Sequence, residues 1–165
     1  MRLARLLRHL LLPHWWVLRA FPVASLRRIE RAIAASESTH QGELRVVVEA
    51  NLPLPALLHG QSARARAIDL FAQLRVWDTE RNSGVLIYLQ LIDRRVEIVA
   101  DRGVSARVGQ EFWEDVCRRM ETAFRTGDFE GGTLFALSTI TQALSEHFPA
   151  DAQRDDELPD APLLL

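Results

Sequence analysis

Cysteine is almost absent from this sequence. Cys117 stands alone among 165 residues, so no internal disulfide can form. The lack of a disulfide framework fits a reducing compartment. Long apolar runs are missing too. A membrane-spanning helix needs about 20 apolar residues. The candidate run, from Leu6 to Leu18, is cut by Arg8, His9, Pro13 and His14. It also lacks the unbroken apolar stretch and small-residue cleavage site of a secretory signal. These absences predict a cytoplasmic protein, with peripheral attachment at a membrane left open. An excess of positive charge is absent: the formal net charge is -2, which argues against a dedicated nucleic-acid binder. There is no Walker-type loop, and no glycine-rich fingerprint follows a candidate strand. The histidines are scattered, so no zinc site is predicted.

What is present suits one globular domain with short extensions. Hydrophobic residues make up 48% of the chain, enough to bury a core. Pro22 opens a helical pattern with Leu26, Ile29 and Ile33 on one side. Gly42 suits a turn into a strand over 43–50, where Val46, Val47 and Val48 are β-branched. Ser62 caps a further helix with a broad apolar face. Residues 85–92 are apolar on both faces, which predicts a central strand covered on two sides. The helix between these strands makes them parallel. The tight connection Asp93-Arg94-Arg95 makes the strand over 96–100 an antiparallel neighbour. Two more helices follow, one carrying Phe112 to Phe124 and one carrying Leu134 to Leu144. The expected fold class is a three-layer α/β/α sandwich around a small mixed sheet. The chain divides into a basic, tryptophan-containing arm over 1–21, an α/β domain over 22–149 and an acidic tail over 150–165 that composition reads as disordered.

Chain direction suggests a site. If the third strand runs backwards, Asp101 returns to the end where Glu43 starts and where the loop of Asp78 and Asn82 enters. Glu43, Asp78 and Asp101 are then candidate ligands of a hard cation, calcium or magnesium. Asn82 and His40 would stand behind them, and Arg102 would meet a phosphate. A structural reading competes, because Asp and Asn also cap helices and turns and pair with arginine. Cys117 reads as a near-core residue, and Trp77 as an anchor of its loop on the core. Trp15 and Trp16, beside Arg2, Arg5, Arg8 and Arg19, are candidate contacts for a membrane surface or a protein partner; the plainer reading is that the segment packs its leucines and tryptophans on its own domain.

Several segments together resemble one family. Residues 36–45, Ser-Glu-Ser-Thr-His-Gln-Gly-Glu-Leu-Arg, are similar to the opening of the TPM domain. Trp77-Asp78 with Asn82-Ser83-Gly84-Val85-Leu86, then Asp93-Arg94 with Ile98, resemble its central strands. Phe124-Arg125-Thr126-Gly127-Asp128 with Gly132 resembles its late turn. The resemblance implies a compact α/β/α domain of a short bacterial branch. It also implies that calcium or magnesium binding, and acid phosphatase activity, occur among relatives. Over 102–110 this sequence departs from the commoner pattern, because the acidic residues of that segment are absent. Two functions stay open: a non-catalytic binding or assembly module working at a membrane surface, and a metal-assisted phosphohydrolase.

Overall fold

The computed structural model describes residues 2–11, 15–151 and 157–165. His14, Asp155 and Asp156 lie outside the described residues. Helices α1 (Arg2–Leu11), α2 (Trp15–Ala20) and α3 (Val23–Glu37) lead into strand β1 (Glu43–Glu49). Helices α4 (Leu54–Leu58) and α5 (Ala63–Gln73) connect β1 to β2 (Gly84–Gln90), and β3 (Arg95–Ala100) follows. Helices α6 (Arg102–Ser105), α7 (Gln110–Arg125) and α8 (Phe129–His147) precede a short β4 (Leu163–Leu164).

The sheet order is β3-β2-β1-β4. β1 pairs parallel with β2, with Glu43 opposite Gly84 and Glu49 opposite Gln90. β2 and β3 are antiparallel. The connection lengths therefore lead to the expected directions.

β1 and β2 are buried along their whole lengths, as central strands with two covered faces should be. Leu44, Val46, Val48, Val85, Ile87 and Leu89 face a large core with α3, α7 and α8. Val47, Leu86 and Tyr88 face a smaller core built with Ala63, Ala67 and Leu70 of α5. Helices thus cover both sides of a mixed sheet. Ser62 caps α5, accepting the Ala65 N–H at 3.1 Å. Gly84 is required where it stands: a Cβ there would lie 1.9 Å from the Val76 carbonyl oxygen.

Three expectations need correction. Residues 157–165 are not a disordered tail. Leu163 and Leu164 pair with Val47 and Val48 of β1, and Leu158 is buried in the smaller core. The acidic composition hid four leucines: Leu158, Leu163 and Leu165 pack in the smaller core and Leu164 against the larger one. The expected 1–21 arm also divides. Val17 and Phe21 are fully buried, and Trp16 packs edge-on against Phe129 with ring centroids 6.3 Å apart. Leu7, Leu11, Trp15 and Leu18 remain exposed. Trp77, finally, does not anchor its loop: it is 48% exposed, while its neighbour Val76 is buried.

Leu158→Ala is expected to lower stability by about 2 kcal/mol in urea unfolding, the cost of deleting a buried leucine side chain. A loss within about 0.5 kcal/mol, the range of ordinary surface changes, would mean that this segment does not pack.

Candidate functional site

The amino-end rim of the parallel pair holds the residues that chain direction singles out. Glu43 is buried and accepts the Leu158 N–H at 3.1 Å. Asp101 returns to the same rim, where its N–H meets the Gly84 carbonyl. Asp101 acts as the cap of α6: Oδ1 accepts the Arg102 N–H at 2.6 Å, and Oδ2 is buried with no protein partner. Asp78 is half exposed and lies 3.6 Å from Arg75. Asn82, at a left-handed φ of 52°, accepts from Arg102 Nε at 3.1 Å. His40 is fully buried, with Nε2 2.8 Å from Ser36 Oγ and Nδ1 accepting the Gly42 N–H. Glu43, Asp78 and Asp101 therefore share a rim without forming a ligand set. Among the described residues, no group of three or more His, Cys, Asp or Glu could hold a metal ion.

The carboxyl-end rim is richer, and sequence reasoning passed over it. Glu49 ends β1 with its side chain pointing at α5. Arg66 of α5 grips it with Nε at 3.1–3.2 Å and a terminal nitrogen at 2.6 Å, while Tyr88 Oη donates to it at 2.5 Å. Burial, then the Glu49 carboxylate, push the Tyr88 hydroxyl far above its ordinary range, so it stays protonated. The Arg66 side chain is 14% exposed and that of Glu49 2%. This triad joins sheet to helix, and Arg66 also lines an open pocket with Pro53, Pro55, Ala56, His59 and Gln61.

Helix α1 lies over the same rim. Arg5 Nε donates to Asp93 Oδ2 at 2.8 Å, and another Arg5 nitrogen donates to the Gln61 carbonyl at 3.1 Å. His9 is buried and accepts the Leu52 N–H on Nδ1 at 3.1 Å. The Asn51 amide donates to the His9 carbonyl. In open α/β sheets, ligands commonly sit beyond the carboxyl ends of parallel strands. Here the chain's own first helix sits there.

Residues 20–143 match the model of the TPM domain. The chain belongs to the TPM domain family. The BA42 protein of the psychrophilic bacterium Bizionia argentinensis is similar to it at 27% identity, with a TM-score of 0.77, covering 88% of this chain and 95% of that one. The N-terminal domain of a P. gingivalis protein shares the fold at 20% identity and a TM-score of 0.63, covering 84% of this chain and 94% of that one. No curated protein matches the chain.

In this TPM domain the N-terminal segment presents an apolar outer face. Leu7, Leu11, Trp15 and Leu18 are 47%, 76%, 59% and 49% exposed. Arg8 and Arg19 are exposed on the same segment. Among the described residues, no helix is long and apolar enough to cross a membrane. The single thiol offers little chemistry. Burial first, and then Glu97, push Cys117 up to about 12.

Three outcomes test these contacts. Glu49→Gln is expected to cost about 3 kcal/mol in denaturant unfolding, because it leaves the Arg66 charge mostly buried without its counter-ion. Tyr88→Phe, which removes only one hydrogen bond, should cost about 1 kcal/mol. Cys117 should alkylate with iodoacetamide at pH 8 at least about a hundredfold more slowly than a free cysteine, since the thiolate is the reacting species. Rapid alkylation would place the thiol in a reactive setting.

Proposed function

We propose that this TPM domain is a non-catalytic binding module that works at an anionic membrane surface through its N-terminal segment. One observation carries the reading: Leu7, Leu11, Trp15 and Leu18 stand exposed beside Arg8 and Arg19. No acidic residue occurs before Glu30. Exposed apolar side chains on short helices are costly in water, and their cost falls when they enter the boundary between lipid headgroups and acyl chains. Tryptophan favours that boundary, and arginine reaches from it to anionic headgroups. A second copy of the chain would bring the same basic segment and be repelled, which favours lipid over self-association. The interior supports a binding role as well. Glu49, Tyr88, His40 and Asp101 each serve a structural bond, and Cys117 is held as a thiol.

The test is sedimentation of the full chain with vesicles. The chain should partition onto phosphatidylcholine vesicles containing about a third phosphatidylglycerol, and much less onto pure phosphatidylcholine, because anionic lipid supplies the attraction. Replacing both Leu11 and Trp15 with alanine should weaken partition about tenfold or more while leaving stability unchanged, since both side chains are exposed. Equal partition of this variant and the parent, or none by either, would remove the proposal.

A further inference from the structure

We infer that α1 is a pH-sensitive latch: protonation of His9 frees the helix from the carboxyl-end rim and strengthens its hold on anionic lipid. The lipid half of this inference rests on the membrane reading above; the latch itself does not.

Among the described side chains, the hydrogen bonds that hold α1 to the rim come from Arg5 and His9. Arg5 holds Asp93 and the Gln61 carbonyl, and His9 holds the Leu52 N–H. Leu7 and Leu11 point outward and add little to the seam. The Leu52 N–H is a donor, so Nδ1 of His9 must carry a lone pair. The imidazole proton then sits on Nε2, which faces Asp93 Oδ1 at 3.3 Å. A second proton can go only to Nδ1. There it would oppose the Leu52 N–H, turning an acceptor into a donor.

The charges around the ring are mixed. From its own helix, Arg5 and Arg8 oppose an imidazolium. From the β2–β3 turn, Asp93 favours it, but that carboxylate already serves Arg5. From the β1–α4 loop, Asn51 and Leu52 contribute neutral groups. Burial is the largest influence, and the balance holds His9 below its ordinary value of 6.5. A docked helix thus binds fewer protons than a freed one. Docking is at full strength above about pH 6.5 and weakens as the pH falls below it. Asp93 behaves differently. Burial pushes it up, but the bond and charge of Arg5 outweigh this and hold it below the usual carboxylate range. Asp93 therefore stays ionised through the window in which His9 titrates, so the change that loosens the helix is at His9 Nδ1.

Release changes what the helix offers to lipid. Freed α1 exposes a charged His9 and an Arg5 no longer neutralised by Asp93. Each basic side chain near an anionic surface adds about fivefold to binding, so two should add about twenty-five-fold.

Two readouts separate the latch from the membrane reading. Without lipid, amide exchange of residues 2–11 and of Leu52, corrected for intrinsic rates, should be slow at pH 7.5 and fast at pH 5.5. With anionic vesicles, partition should rise about twenty-five-fold over the same interval. His9→Asn keeps an acceptor for Leu52 but cannot be protonated, so both changes should largely disappear. Asp93→Asn should free the helix at pH 7.5. Exchange that is indifferent to pH, or His9→Asn tracking the parent, overturns the latch even if vesicles bind. Release in acid with no vesicle binding at either pH upholds the latch and overturns its lipid half.

Discussion

Strand β1 is buried along its full length, yet its α5-facing side carries Glu43, Arg45 and Glu49. A buried charge without partners is costly, so each of these side chains dictates what must come near it. Glu49 requires a cation, and α5 supplies Arg66 while β2 supplies the Tyr88 hydroxyl. Arg45 needs acceptors, and the Pro159 and Ala161 carbonyls provide them at 2.5 and 2.7 Å. Glu43 takes the Leu158 N–H. These bonds fix the crossover helix at one end of β1 and the C-terminal segment at the other. The leucines of that segment then close the smaller core.

The choice of cation matters to this scheme. All twenty basic residues are arginine, and none is lysine. A guanidinium spreads its donors over a planar fork and stays charged when buried, whereas a lysine ammonium is a point charge that readily loses its proton there. Arg66 meets both oxygens of Glu49, Arg5 bridges a carboxylate and a carbonyl, and Arg45 bridges two carbonyls. Lysine in these places would leave at least one acceptor unmet.

Much of the scaffold was legible because connection length and apolar pattern constrain it strongly. The Asp93-Arg94-Arg95 turn forces antiparallel strands, and an intervening helix permits parallel ones. The site was less legible for a physical reason. Chain direction does bring Glu43 and Asp101 to one rim, but direction says nothing of the bonds each acid makes there. Asp101 caps α6, and Glu43 holds a segment that its composition marked as disordered. The Val46-Val47-Val48 run concealed which face each side chain takes, so the inward aim of Glu49 at α5 could not be read. One signal was available: a glutamate ending a strand buried on both sides calls for a buried cation. Which arginine answers, 17 residues later, depends on packing.

The sheet edges offer little to a partner strand. An open edge invites another strand. On the outer side of β3, Arg64 takes the Ile98 carbonyl at 2.5 Å, Ser105 takes that of Ala100, and Glu121 lies 3.4 Å from the Val96 N–H. Cys117 bonds the backbone of Ile98. At the other side β4 is only two residues long. Strand addition would have to break side-chain bonds on one edge and would find a short template on the other. Helix α1 faces neither obstacle. Its described hydrogen bonds to the rim come from Arg5 and His9, while Leu7 and Leu11 stand exposed. A segment held this lightly, with its apolar side turned away, can engage a surface without disturbing the cores beneath it.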